Sequence, residues 1–168
     1  GNAATERQVV RLAHLGATED VLVIGPGPGV GLRTAGEHAG HVIGVEPSER
    51  MRRTAAKRCA DLIASGRVEL REGTAERTEL PASSVDTVLS VNNTHLWHDR
   101  PAAFAELHRV LRPGGTLLVS SHQRWLPGGR AGLQAEVQAA GFDDVQTWAW
   151  TPPTRFAGTA AQLRARRP

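Results

Sequence analysis

Val21-Leu22-Val23-Ile24-Gly25-Pro26-Gly27-Pro28-Gly29-Val30-Gly31 joins an apolar run to a turn with glycine at every second position. A short continuous apolar run bounded by glycine reads as a strand buried on both faces. Val30 to Ala39 then reads as a helix that Gly40 closes as a glycine cap. A strand that passes through a glycine turn straight into a helix opens a βαβ unit. In a sheet built from such units, ligands lie beyond the carboxyl ends of the strands, where strand order reverses. This turn is therefore the first place to look for a site.

The loop does not fit the dinucleotide fingerprint G-x-G-x-x-G. Counting from Gly25, Gly27 or Gly29, the third glycine would fall on Val30, Leu32 or Thr34. A pyrophosphate cradle works by aiming backbone N–H groups at phosphate oxygens. Pro26 and Pro28 have none, so two donors are missing from the centre of the loop. Such a loop suits a ligand that lies close to the backbone and carries little negative charge. The alternative is a tight turn with no ligand, for which one or two glycines would suffice.

Outward from the loop, strands and helices alternate. His41 to Val45 is a strand ending at Glu46, and Pro47-Ser48-Glu49 opens a helix to about Ala64, stopped by Gly66. Arg67 to Arg71 and Val85 to Val91 are strands, and Phe104, Leu107, His108 and Leu111 have the spacing of a helix over 100–111. Arg112-Pro113-Gly114-Gly115 is a type II turn. Thr116 to Ser121 is a strand, Leu133 to Ala140 lies in a helix ended by Gly141, and Val145 to Trp150 and Ala161 to Ala165 are strands. Upstream, Val9, Val10, Leu12, Ala13 and Leu15 form a short helix stopping at Gly16, with Gly1 and Asn2 as a frayed end. The pattern predicts an α/β fold in one domain over 1–168. Its sheet is doubly wound and mostly parallel, with helices on both faces and the last strand antiparallel.

Composition excludes several classes. Hydrophobic residues make up 40% and charged residues 22%, which is globular rather than disordered or fibrous. The longest apolar runs are four or five residues, too short to span a membrane, and the N-terminus does not read as a secretory signal. Cys59 is the only cysteine, so a disulfide framework and a cysteine-based metal site are excluded, and a reducing cytoplasm is the expected location. The net charge is +3, yet the pI is about 10.3 because all the basic residues except Lys57 are arginine. The cluster Arg50, Arg52, Arg53, Lys57 and Arg58 leaves two readings, a solvated helix face or a contact for an anionic partner.

Several segments together resemble the class I S-adenosylmethionine-dependent methyltransferases. Val21 to Gly29 resembles that family's first motif, a hydrophobic strand followed by G-x-G-x-G. His41 to Ser48 is similar to its second strand, which ends in an acid. Gly73-Thr74-Ala75-Glu76 with Leu80-Pro81 resembles its G-D-A-E-x-L-P segment, and Ser84-Val85-Asp86-Thr87-Val88 its S-F-D-V-V strand. Leu107 to Gly115 nearly matches its R-V-L-R-P-G-G helix and turn. The resemblance runs from about residue 9 to the end and implies a Rossmann-like fold that binds S-adenosyl-L-methionine and releases S-adenosyl-L-homocysteine. It places Gly25, Gly27 and Gly29 against the cofactor. Glu46 would hold two ribose hydroxyls, as it also would in an NAD site. Pro47 and Met51 would meet the adenine face, with core packing the alternative for Met51. Thr74 stands where the family commonly has aspartate, so its hydroxyl and the Ala75 backbone would recognise the adenine edge. Val91 and Asn92 would face the methionine part.

The acceptor side is thinner. Asn92-Asn93-Thr94-His95-Leu96-Trp97-His98 lacks the N-P-P-[YF] tetrapeptide of enzymes that methylate exocyclic base nitrogens, which lowers a nucleic-acid reading. His95 is a candidate base or substrate contact, or a loop histidine. His98 is the same, or a cap for the following helix beside Asp99. H-x-x-H without a third ligand does not make a metal site, and none is expected. His122, Gln123 and Trp125 could line the acceptor pocket, and Cys59 reads as packing. The expected function is methyl transfer to a small-molecule acceptor. The alternatives are a non-catalytic cofactor-binding module, NAD-dependent chemistry or an RNA-directed methyltransferase. Little sequence before Val21 and no long insertion after the fifth strand leave the acceptor pocket incomplete. A homodimer or an N-terminal segment folding over the site would complete it.

Overall fold

In β1 (Asp20–Ile24), successive side chains enter opposite cores. Leu22 and Ile24 join one buried cluster with Ile43, Phe104, Leu107 and Leu133, while Val21 and Val23 join another with Val9, Val10, Leu32, Val42 and Cys59. The first cluster is covered by α5 (Arg100–Val110) and α6 (Gly129–Ala139); the second by α1 (Asn2–Ala13), α2 (Val30–Gly36) and α3 (Glu49–Arg58). A strand apolar on every position is the consequence of helices on both faces. The computed structural model describes residues 2–153 and 158–168; Gly1 lies outside them.

The remaining elements are β2 (His41–Val45), α4 (Ala60–Ala64), β3 (Val68–Arg71), β4 (Val85–Val91), β5 (Leu111–His122), β6 (Asp143–Trp150) and β7 (Ala160–Arg166). Single 3-10 turns lie at Thr94–Leu96 and Gln123–Trp125. The sheet order is β3-β2-β1-β4-β5-β7-β6. Strands β1 to β5 pair in parallel, whereas β7 is antiparallel to both β5 and β6. The α/β fold with a mostly parallel sheet and an antiparallel last strand is thus observed. Strand order reverses between β1 and β4, directly above the glycine loop.

Four differences from the sequence reading stand out, beside shifts of one or two residues at the ends of α5, β6 and β7. Asn2 is not a frayed end: α1 starts there, and its side-chain oxygen accepts from Asn92 Nδ2 at 3.0 Å. The helix predicted to reach Ala64 breaks at Cys59, whose φ of −104° and ψ of 17° leave the helical region. Arg33 draws the Arg58 carbonyl aside at 2.8 Å, a side chain inserted into the helical ladder. The helix predicted to reach Ala39 ends at Gly36, although Ala39 N still donates to Ala35 O. The turn at 112–115 is absorbed into β5 as an irregularity. Leu111 pairs with Val85 and Thr116 with Thr87, while Gly114 at φ 78° supplies the left-handed residue between them.

The loop between β3 and β4 carries Thr74 to Glu76, and one half-buried carboxylate fixes it. Glu106 on α5 accepts from Thr78 N at 3.0 Å and Thr78 Oγ1 at 2.6 Å, and pairs with Arg109 at 2.7 Å. Burial opposes its charge, but Arg109 and the Thr78 donors prevail and lower its pKa to about 2. A carboxylate whose folded pKa is depressed stabilises fully above its unfolded value of 4.5. That contribution, roughly 3 kcal/mol for a shift of this size, disappears as pH falls from 4.5 through about 2. Glu106→Gln should therefore lose about 2–3 kcal/mol in urea unfolding at neutral pH, with the deficit shrinking below about pH 4.5.

Candidate functional site

A cleft of about 490 Å³ opens at the carboxyl ends of β1, β2 and β4. Its floor is the glycine loop. Gly25 N donates to Val45 O at 2.9 Å, Gly27 N to Glu46 Oε2 at 3.2 Å and Gly29 N to Pro26 O at 2.9 Å. Pro26 and Pro28 have no N–H, so from Gly25 to Gly29 no backbone donor is left over for a phosphate. Gly25 and Gly27 line the cleft; Gly29 does not. Gly29 caps α2 at φ 87°, and a Cβ there would lie 2.9 Å from Ala55, so its role is close packing against α3.

The carboxylate of Glu46 is held from both sides. Oε2 accepts from Gly27 N and Oε1 from Ser48 N at 3.0 Å, and the residue is only 7% exposed. Ser48 then caps α3 by accepting from Met51 N at 3.3 Å, which brings Pro47 and Met51 to the cleft wall. Thr74, Ala75 and Glu76 form the opposite wall. Burial works against the charge of Glu76. The N–H groups of Asp99 and His98, its own N–H and the Thr74 hydroxyl outweigh it and hold the carboxyl below its usual range.

Val91 and Asn92 close the cleft at the end of β4. Asn93, beside them, is the residue the sequence reading missed. Its Nδ2 donates to Ile24 O at 2.6 Å and its Oδ1 accepts from Ser90 Oγ at 2.6 Å, tying the ends of β1 and β4 together. A short amide immediately beyond the central strand, at the point of strand-order reversal, was the available signal. Asn2 and Glu6, delivered by α1, were also missed.

The two candidate catalytic histidines are not brought together. His98 is exposed at the cleft mouth, and its backbone N–H donates to Glu76 Oε1 at 2.6 Å. It does not cap α5; Asp99 does, accepting from Ala102 N at 2.9 Å. His95 lies off the cleft and stacks on Trp125 at 4.2 Å between ring centres, with His122 edge-on to the same indole at 4.6 Å. Burial, followed by the neighbouring charge of His122 or Arg124, holds both imidazoles below the ordinary histidine range. His95, His122 and Trp125 thus form a separate aromatic group outside the cleft, and Gln123 does not line the cleft either. Trp97 packs edge-to-face on Phe104 at 5.2 Å and lines the mouth with Leu96. Among the described residues no cluster of three metal-ligating side chains occurs. The buried Cys59 has its thiol pushed up by desolvation, as packing implies. No helix among the described residues is long and apolar enough to cross a membrane.

The charge of the cleft is one-sided. Glu6, Glu46 and Glu76 line it, and among the described residues no lysine or arginine does, in a chain with 20 basic residues against 17 acidic ones. Such a cleft repels a pyrophosphate and favours a ligand carrying positive charge.

Residues 22–119 match the family described as methyltransferase domain. The uncharacterized methyltransferase YdaC of Bacillus subtilis is 32% identical over 157 residues, covering 84% of each chain. Phosphoethanolamine N-methyltransferase 1 of Arabidopsis thaliana is 28% identical over 88% of this chain, which spans only 30% of that longer protein. Among solved structures, an S-adenosylmethionine-dependent methyltransferase of Thermotoga maritima superposes with a TM-score of 0.73 at 26% identity, over 99% of this chain and 89% of its own. The chain belongs to the class I S-adenosylmethionine-dependent methyltransferases.

Two glycines of the loop separate packing from backbone strain. Both have positive φ, but a Cβ on Gly25 would lie 2.5 Å from Asn93 Nδ2, whereas one on Gly27 meets nothing within 4 Å. Gly27→Ala should cost about 1 kcal/mol, and Gly25→Ala about 2–4 kcal/mol because the Asn93 clamp must also open. Denaturant unfolding of the two variants measures the difference.

Proposed function

We propose that the cleft binds S-adenosylmethionine and that the chain transfers its methyl group to a small-molecule acceptor by direct displacement. The observation that carries this is the charge of the cleft: three carboxylates, no lysine or arginine among the described residues, and a glycine loop with no backbone donor left for phosphate between Gly25 and Gly29. A sulfonium ligand with a net positive charge suits that environment; a dinucleotide with two phosphates does not. The volume lies in the range of small-molecule sites, about 300–1,000 Å³. In this reading Glu46 accepts both ribose hydroxyls, Pro47 and Met51 pack on one face of the adenine, and Thr74 and Ala75 meet its edge. Gly25, Gly27, Val91 and Asn92 border the amino-acid end.

When bound, the cofactor supplies a methyl group on a cationic sulfur, an already good leaving group. The chain's task is then alignment of the acceptor and exclusion of water. The rim available for the acceptor is Leu96, 74% exposed, with Trp97 and His98, and it suits a small molecule with an apolar body. The names of two relatives, a phosphoethanolamine N-methyltransferase and a nocamycin O-methyltransferase, state small acceptors and support that class. His98 is the imidazole placed to touch such an acceptor.

Isothermal calorimetry should show S-adenosylhomocysteine binding far more tightly than NAD, and transfer of labelled methyl groups across a metabolite panel should reveal turnover. NAD binding equally well would overturn the assignment. Glu46→Ala should weaken S-adenosylhomocysteine by roughly 30- to 150-fold, about 2–3 kcal/mol, with the circular dichroism spectrum unchanged. A loss below about threefold, under 1 kcal/mol, would remove Glu46 from the site.

A further inference from the structure

Helix α1 brings a carboxylate to the cleft that has no ion-pair partner among the described residues. Glu6 Oε2 accepts from Gly31 N at 2.6 Å, while Oε1 has no hydrogen bond or ion pair among the described residues. Toward the sheet, Glu6 borders a small apolar cavity with Val9, Val10, Val23 and Leu89. Burial pushes the carboxyl above its ordinary range, against the Gly31 N–H and the more distant charges of Arg58 and Arg7. A carboxylate in such surroundings costs free energy unless a cation meets it.

A second acceptor lines the same cleft without a donor. Asn92 is 8% exposed, and its Oδ1 is buried with no hydrogen-bond partner among the described residues. Its Nδ2 is committed to Asn2 Oδ1 at 3.0 Å, and Asn2 stands one helical turn before Glu6 on α1. Asn92 also holds a φ of 53°, a strained backbone that a short amide tolerates best. The end of β4 and one face of α1 thus present an amide oxygen lacking a donor and a carboxylate lacking a cation. The chemical group that satisfies both is positively charged and bears N–H bonds.

We propose that Glu6 and Asn92 receive the ammonium group at the amino-acid end of S-adenosylmethionine. The inference rests on the cofactor reading above and adds α1 to the binding site. A sulfonium carries charge but no N–H, so it would leave the Asn92 oxygen unpaired. The ligand's own carboxylate is repelled by Glu6 and must point away from it. The amino-acid end is thereby oriented, and the sulfur's attached methyl with it.

The test uses the whole chain, calorimetry and three probes. S-adenosylhomocysteine has the ammonium; 5′-methylthioadenosine keeps the adenosine and thioether but lacks the amino-acid end; deaminated S-adenosylhomocysteine keeps the carboxylate only. Glu6→Gln retains an oxygen for Gly31 N and removes the charge. It should weaken S-adenosylhomocysteine by roughly 10- to 100-fold and 5′-methylthioadenosine by less than about threefold. Equal losses for the two ligands would show that Glu6 acts only through the glycine loop, and no loss for either would remove it from the site; both results overturn the proposal. The wild-type protein, which does not depend on how the variant folds, should bind the deaminated analogue roughly 10-fold or more weaker than S-adenosylhomocysteine. Equal affinity would overturn the proposal as well. Wild-type protein that binds neither S-adenosylhomocysteine nor 5′-methylthioadenosine would instead overturn the cofactor reading on which the proposal rests.

Discussion

The hydrogen bond from Asn93 Nδ2 to Ile24 O, 2.6 Å long, is the constraint on which the rest of the cleft depends. The two central strands stay paired to the last residue of β1, and the connections that follow them part because their helices lie on opposite faces of the sheet. A crevice at that point is inherent in the topology, but its width is not. Asn93 sets the width. It grips the last carbonyl of β1 while Ser90 grips Asn93 in turn, and the glycine loop then starts from a fixed origin. Gly25 has no side chain because the Asn93 amide occupies the space where its Cβ would stand. From that fixed start the loop places Gly27 N where it meets Glu46, and Glu46 in turn engages Ser48 at the start of α3. One buried amide, satisfied on both its nitrogen and its oxygen, thus orders three segments that are distant in sequence.

Carboxylates do the comparable work elsewhere around the cleft, each by accepting from backbone N–H groups. Glu46 fixes the loop to α3, Glu76 fixes its own segment to the start of α5, Glu106 fixes the same segment from below, and Glu6 fixes α2 to α1. Hydrogen bonds of this type are charge-assisted and directional. They also leave a negative field in the cleft, which the many arginines do not cancel because they point elsewhere. Arg52 pairs with Glu72, Arg53 with Glu49, and Arg58 donates to the Pro28 carbonyl. The basic cluster on α3 is thus largely engaged by its own chain, and a high pI coexists with an acidic site.

What was legible in the sequence follows from the range of the forces involved. The core strands β1 and β4 declared themselves because burial on both faces demands an unbroken apolar run, and the glycine loop because its glycines are required locally. Glu46 was legible because it ends the neighbouring strand, a position fixed by register alone. The break at Cys59 was not, since it depends on Arg33, 25 positions before the captured carbonyl. Asn2 and Glu6 were missed for the same reason: what makes them part of the cleft is their approach to Asn92 and Gly31 across the fold. His95 was singled out by residue type and lies off the cleft because the 3-10 turn at Thr94–Leu96 rotates it toward Trp125. Placement after a strand gives the edge of the sheet, but a single turn of helix decides the direction.

Helix α1 is attached to the sheet through a reciprocal amide pair. Gln162 Nε2 donates to Gln8 Oε1 at 2.6 Å, and Gln8 Nε2 returns a bond to Gln162 Oε1 at 3.2 Å, across 154 positions of sequence. Gln162 lies on β7, the strand threaded between β5 and β6 and the last of the described elements in chain order. As the chain emerges from the ribosome, the glycine loop, the Asn93 clamp and the bonds from α1 to Asn92 and Gly31 can form while β7 is still unsynthesised. The Gln8–Gln162 pair cannot. Contacts of such long separation are slow to close, so the side of the cleft facing α2 and β4 is built before the far end of α1 is pinned to the sheet.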